Sequence, residues 1–215
     1  MSFKNDQVSE RETEIISEYA KASLVNEGDF VEMGCYKGDT SLLLAEILQH
    51  YFLGHTRGRS PELMVQKNDV CNTSAIKHLW IYDSFEGLPE KGEEDFSEAG
   101  KDFKKGELFV TKREVKERFL RAGLPVPVIK KAWFNDLSSE DMPEKISFAF
   151  LDGDLYESIR DSLKLVEGRM SERGVILVHD YNNPALPGVA KAVDEWLENK
   201  KYTMTWKESL AVITI

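Results

Sequence analysis

Cysteine is scarce: the chain carries only Cys35 and Cys71, far apart. Such a spacing gives neither a zinc-binding pair nor a disulfide framework, so both are read as free thiols. Positive charge is also in short supply, with 28 Lys and Arg against 38 Asp and Glu and a formal net charge of −10. A nucleic-acid surface needs clustered cations to displace counterions, and the lysines between Lys101 and Lys105 and at Lys130 and Lys131 are too local to form one. No apolar run approaches the length of a membrane span, and the opening MSFKNDQVSERE has no apolar signal core, so a cytoplasmic location is expected. Internal repeats, low-complexity tracts and linkers are absent as well. What remains is 215 residues with 41% hydrophobic content, enough for one well-cored domain over residues 1–215.

The stretch from Phe148 to Tyr156, FAFLDGDLY, organises the rest. An apolar run that stops at acid, glycine, acid reads as a buried parallel strand ending at the rim of a sheet, where open α/β folds keep their ligands. Gly153 lets the backbone turn, and alternation along extended chain would aim the carboxylates of Asp152 and Asp154 at one point. Paired acids of this kind hold a metal or a proton. The structural alternative is a surface turn whose acids cap the next helix.

A second unit, FVEMGCYKGDTS, reads as strand (Phe30 to Met33), tight turn (Gly34 to Gly38) and a helix capped by Asp39 or Thr40. Its spacing, E-x-G-x-x-x-G, differs from the dinucleotide fingerprint and lacks the ending of a phosphate loop. An acid at Glu32 repels a pyrophosphate but suits a cationic amino-acid end, which points to S-adenosylmethionine. Leu79 to Tyr82 is a further strand, ending at Asp83, an acid placed to accept ribose hydroxyls. Phe85, two residues on, either covers the adenosine or plugs the sheet edge. Val126 to Lys130 is followed by Trp133-Phe134-Asn135-Asp136, which would sandwich and read an adenine, unless Trp133 is core. Gly174 to Val178 ends at His179-Asp180. Because parallel strands present their ends along one edge, Asp152, Asp154 and Asp180 are expected to meet.

Helices are announced by their caps and stripes. Ser9 and Glu12 form a capping box before Ile15, Ile16, Tyr19, Ala20 and Ser23, so residues 1–27 are expected to carry a helix that packs on the domain or covers the site. Thr111 and Glu114 repeat the signal ahead of Val115, Phe119 and Ala122, with Gly123 as the stop. Ile159, Leu163 and Val166 mark another helix, and Pro187 opens the last, with Val189, Val193, Trp196 and Leu197 on its buried face. Tyr202 to Trp206 and Ala211 to Ile215 read as a closing hairpin. Gln49 to Lys77 and Pro89 to Gly106 lack a period and read as a lid or partner contact and as a mobile loop beside the site. His50, His55 and His78 are read as solvated or packed.

FVEMGCYKGDTS, IYDSFEGLP, LDGDLYES and VHDYNNPALPGVAKAVDEW together resemble the macrocin-type, or TylF-like, sugar O-methyltransferases, over about Gly28 to Trp196. That resemblance implies a Rossmann-like class I methyltransferase: an α/β fold with a mostly parallel seven-stranded sheet, helices on both faces and a C-terminal antiparallel hairpin. It also implies S-adenosylmethionine and a magnesium-type divalent metal as cofactors, with a small-molecule acceptor bearing a sugar hydroxyl. The cofactor's methionine end would lie near Glu32, Gly34 and Gly38 and its ribose on Asp83. Cys35, Ser84, Phe85, Trp133 and Asp152 complete the expected cofactor contacts. Metal ligation falls to Asp152, His179 and Asp180, and Asp154 is the base. Related enzymes carry two consecutive acids where this chain has His179-Asp180, so either the ion shifts from magnesium toward manganese or iron, or His179 is no ligand. The rival readings are a nicotinamide-dependent oxidoreductase and a non-catalytic sugar- or nucleotide-binding protein on the same fold. A homo-oligomer is compatible with a helix placed ahead of the sheet.

Overall fold

The structure is a computed structural model, described here for residues 7–56, 77–98 and 103–215. Five strands, β1 (Asp29–Met33), β2 (Leu79–Asp83), β3 (Val128–Lys131), β4 (Ile146–Leu151) and β5 (Met170–Val178), pair in parallel. The hairpin of β6 (Thr203–Lys207) and β7 (Leu210–Thr214) adds antiparallel to β5, giving the order β3-β2-β1-β4-β5-β7-β6. The expected seven-stranded sheet with its closing hairpin is therefore present.

Strand alternation divides the core in two. Phe30, Phe148, Phe150 and Leu177 face α1 (Glu10–Ala22), α2 (Asp39–Thr56) and α3 (Lys112–Ala122). Val31, Met33, Ala149, Leu151, Ile176 and Val178 face α4 (Tyr156–Glu167) and α5 (Pro187–Leu197). With helices on both faces, β4 is buried along its whole length, which is why its sequence reads as an unbroken apolar run. At about 25 cal/mol per Å² of apolar surface, each large side chain sealed here contributes roughly 1.5–3 kcal/mol.

The capping boxes of α1 and α3 form as expected, and α3 stops at Gly123. Other boundaries moved. Because α2 begins at Asp39, Asp39 and Thr40 lie within its first turn rather than capping it. Its C-terminal end outlasts the core, leaving Phe52 and Leu53 exposed, so the stretch from Gln49 starts helical instead of loop-like. The remainder of that expected lid, residues 57–76 with Cys71, lies outside the described residues. Strand β5 starts at Met170, four residues before the apolar run, through polar residues that no periodicity marks. On α5, Trp196 and Leu197 are only half-buried, and Trp196 stacks on Tyr202 with ring centroids 5.5 Å apart.

The charged segment from Pro89 is anchored where it is described. Asp95, 1% exposed, accepts the Tyr156 N–H at 2.7 Å and the Gly92 N–H at 3.0 Å. It thereby caps α4, whose own N-cap residue, Leu155, offers no side-chain acceptor. Leu88 and Glu107 close the base of the segment, the Leu88 N–H donating to the Glu107 carbonyl at 2.8 Å. The described part of the expected mobile loop is thus tied to the fold at Asp95 and at its base, and residues 99–102 lie outside the described residues.

Candidate active site

The chain runs outward from β1 to β2 and β3, then returns to β4 on the other side, so the loops following β1 and β4 part at the middle of the sheet. A cavity of about 490 Å³ opens there. Gly34, directly after β1, has φ +86°, and a Cβ on it would stand 2.0 Å from the Asp152 carbonyl oxygen. Only glycine permits this crossing, which brings the turn after β1 against the turn after β4. The Asp152 N–H donates to the Met33 carbonyl at 2.8 Å and holds it.

On the β1 side, Glu32 lines the cavity at 1% exposure and accepts a hydrogen bond from the Ser41 hydroxyl at the start of α2. Burial, opposed by that hydrogen bond, pushes its carboxyl up to about 8, with the carboxylates of Asp152, Asp83 and Asp39 acting in the same direction as burial. The sequence predicts a carboxylate here; burial instead favours the neutral acid. Asp83 ends β2 as predicted, but its oxygens are already engaged: Oδ2 accepts the Cys35 N–H at 2.9 Å and Oδ1 the Phe85 N–H at 2.7 Å. It clamps the glycine turn to the second strand while still lining the cavity.

Gly34, Cys35, Ser84, Trp133, Phe134, Asn135 and Asp136 join the cavity wall, so Trp133 is not core. Phe85 must be corrected. It is 4% exposed, packs in the helix α1–α3 side of the core and is absent from the lining, so it plugs the sheet edge. Gly38 shapes the turn, at φ +82°, without lining the cavity.

The acids after β4 and β5 do meet, though not by strand alternation. β4 ends at Leu151, and Asp154 has φ +60°, so the left-handed backbone rather than an extended one turns it into the cavity. Burial, followed by the carboxylates of Asp152 and Asp180, pushes Asp154 well above the ordinary carboxylate range. Asp180, also left-handed at φ +61°, accepts from the Asn183 amide at 2.8 Å.

Between the acids stands His179, 5% exposed: its Nδ1 is 2.9 Å from Asp152 Oδ1 and 3.2 Å from Asp180 Oδ2. Asp152, His179 and Asp180 each offer one ligand atom, all within 4.8 Å of one another. Burial alone would lower His179, but Asp152, Asp180 and Glu12 outweigh it and raise the imidazole well above its ordinary value.

Sequence reasoning passed over Ser41, Asn183, Asp95 and Glu12. Ser41 and Asn183 carry no signal beyond their neighbours. Asp95 was hidden in a charged run, and the capping box accounted for Glu12 before its second oxygen was considered.

A parallel sheet in this strand order, its antiparallel hairpin, and a cavity at the reversal point define a class I methyltransferase fold. Within that class, residues 13–208 match the macrocin-O-methyltransferase (TylF) family, and the chain belongs to it. It is 30% identical over 159 residues to the 8-demethyl-8-(2,3-dimethoxy-α-L-rhamnosyl)-tetracenomycin-C 4′-O-methyltransferase of Streptomyces olivaceus, covering 72% of this chain and 53% of that protein. Identity to the demethyldecarbamoylnovobiocin O-methyltransferase of Streptomyces niveus is 28% over 174 residues, 79% of this chain and 58% of that one. The chain thus spans little more than half the length of these relatives. Among solved structures, the O-methyltransferase NovP superposes with a TM-score of 0.71 at 24% identity, covering 94% of this chain and 78% of its own. The calicheamicin methyltransferase CalS11 gives 0.66 at 15%, over 96% and 80%. No helix among the described residues is long and apolar enough to cross a membrane.

Proposed function

We propose that this protein is an S-adenosylmethionine-dependent O-methyltransferase that acts on a sugar hydroxyl with the help of a divalent cation. The observation that carries the reading is the gathering of Asp152, His179 and Asp180 beside the Gly34 crossing, in a cavity that Asp154 also enters. The acceptor class follows the relatives, one of which is named for methylating a rhamnosyl group.

S-adenosylmethionine brings a methyl group on a sulfonium, and a divalent cation acidifies and orients a bound hydroxyl. Two carboxylate oxygens and one imidazole nitrogen suit a cation that tolerates nitrogen, manganese or iron ahead of magnesium. Glu32, buried against Ser41, would hold the cofactor's ammonium, losing its proton on doing so. Asp83 holds the turn in place, and its remaining lone pairs would be available to the ribose. Trp133 and Asn135, in the cavity wall, would border the adenine.

Asp154 is the base. An unperturbed Asp, with pKa about 3.9, is too weak to take a sugar proton unaided; a cation on Asp152, His179 and Asp180 would acidify the hydroxyl, and burial keeps Asp154 more basic than a free carboxylate. With S-adenosylmethionine bound, Asp154 would take the hydroxyl proton on a carboxylate oxygen as the acceptor oxygen bonds the methyl carbon and the methyl–sulfur bond breaks. Holding donor and acceptor in line is worth about 7–11 kcal/mol when the geometry is near attack. Asp154→Asn is expected to lower turnover on a vicinal-diol glycoside at least 100-fold while S-adenosylmethionine affinity by calorimetry stays within twofold. Full turnover in that variant would refute the assignment, and methylated product that carries no new O-methyl on the sugar would refute the acceptor.

A further inference from the structure

His179 has two ring nitrogens, and only one of them faces the acids at the strand ends. Nδ1 is turned to Asp152 and Asp180, while Nε2 is turned the other way, toward α1. There it meets Glu12 Oε1 at 3.8 Å, the carboxylate that Nε2 faces among the described residues. The ring itself is fixed from the side by Phe150, with centroids 6.2 Å apart.

Glu12 divides its two oxygens between two tasks. Oε2 closes the capping box of α1, accepting the Ser9 N–H at 2.9 Å and the Ser9 hydroxyl at 2.7 Å. Capping needs nothing more, and any exposed Glu at that position could supply it. Yet Glu12 is buried at 8% exposure, and its Oε1 accepts from the Ser209 hydroxyl in the hairpin turn while facing His179. Burying a carboxylate costs free energy that a helix cap does not recover; the Ser209 hydroxyl offsets part of it, and the facing imidazole is the other group placed to do so. At 3.8 Å the pair is beyond direct hydrogen-bond length, and the carboxylates facing Nδ1 are nearer, but the Glu12 charge still draws the Nε2 edge of the ring toward α1.

We propose that Glu12 is a positioning residue: from the N-terminal helix it faces Nε2 of His179 and so keeps the ring turned with Nδ1 toward Asp152 and Asp180, where the three can hold a divalent cation. This inference rests on the cation site in the proposed function and adds to it a residue from a different part of the chain. An imidazole ligand is commonly oriented by a carboxylate on its far nitrogen, and loss of that carboxylate typically lowers metal affinity 10- to 100-fold. It also gives α1 a role that packing alone does not.

The experiment uses the full chain and Mn²⁺ as probe, with affinity read by calorimetry and ligand type by electron spin-echo modulation. In the parent, Mn²⁺ is expected to show a directly coordinated imidazole nitrogen. Glu12→Ala should bind Mn²⁺ 10- to 100-fold more weakly, and Glu12→Gln should fall between, since its amide oxygen still accepts. Ile16→Val, which trims the buried face of the same helix without touching Glu12, should bind within twofold of the parent. Glu12→Ala binding as tightly as the parent, or Ile16→Val losing as much as Glu12→Ala, would overturn the role of Glu12 while leaving the cation site standing. Parent-level Mn²⁺ binding with no nitrogen coupling would remove His179 as a ligand and the inference with it. No Mn²⁺ binding by the parent would remove both the inference and the cation-dependent part of the function.

Discussion

Replacing Gly34 by alanine tests the geometry on which the site depends. The new methyl group would sit 2.0 Å from the Asp152 carbonyl oxygen and 2.8 Å from its carbonyl carbon, both backbone atoms with no rotamer to escape into. Asp152 must therefore retreat by about 1 Å to restore ordinary contact distance. Two costs are separable. Left-handed backbone costs a non-glycine residue about 1–2 kcal/mol, partly offset by the stiffer unfolded chain at about 0.4–1 kcal/mol. Forcing atoms into packed space adds about 1–3 kcal/mol. Gly106 supplies the control: its φ is +82°, close to the +86° of Gly34, and nothing lies within 4 Å of its Cβ position. Gly106→Ala should thus lose about 1 kcal/mol, or about 2–4 °C in Tm for a chain of this size, and Gly34→Ala about 3 kcal/mol, or about 6–12 °C. The functional effect should differ more. A displacement of about 1 Å at a reacting centre can cost 10²-fold, so Gly34→Ala is expected to lose about that much kcat and much of its Mn²⁺ affinity, while Gly106→Ala keeps both. Thermal unfolding and calorimetry on the two variants decide the matter. If Gly34→Ala melts with Gly106→Ala and binds cations like the parent, the crossing does not position Asp152.

Glu32→Gln tests the buried acid. Its folded pKa of about 8 lies above the ordinary 4.5, so the native state holds a proton that the unfolded chain has lost, and stability falls as pH rises between those values. From pH 6 to pH 8 the parent should lose about 2–3 kcal/mol relative to Glu32→Gln in urea unfolding; parallel curves would show that Glu32 is ionised in the folded protein. The tie at Asp95 should appear in stability and in cleavage: Asp95→Ala frees the Tyr156 and Gly92 N–H groups and should cost about 1–3 kcal/mol, with faster proteolysis between residues 89 and 98. Unchanged proteolysis would mean that this segment is held by other contacts.

Chemistry placed at the end of an apolar run was legible in the sequence; chemistry placed by backbone conformation or by a distant element was not. Asp83, Asp152 and Asp180 could be read because β2, β4 and β5 are buried on both faces, so a polar residue at their ends stands out against the run. Strand alternation gave the wrong reason for Asp154, since its orientation comes from a positive φ that no periodicity records. Phe85 could not be assigned, because an aromatic after a strand fits a ligand wall and a core equally well until its direction is known. Asp95 and Glu12 were invisible for a different reason: each acts on a residue 61 or 167 positions away, and the local pattern around each already had an explanation.

The balance of charge connects these residues. Glu12, Asp152 and Asp180 flank the His179 imidazole, and Glu32, Asp83 and Asp154 line the same cavity; in this crowd of acids Glu32 and Asp154 are raised, and His179 is raised with them. A site of this kind would take up a cation in exchange for protons. If the proposed cofactor and cation enter, each should expel protons, the first through Glu32 and the second through His179 and Asp154. The proton count is measurable for each ligand alone, by calorimetry at one pH in buffers of different ionisation enthalpy. Glu32→Gln should remove the release that accompanies S-adenosylmethionine and leave that of Mn²⁺ intact. Equal release in parent and variant would place the cofactor's charge elsewhere in the cavity and separate Glu32 from its role.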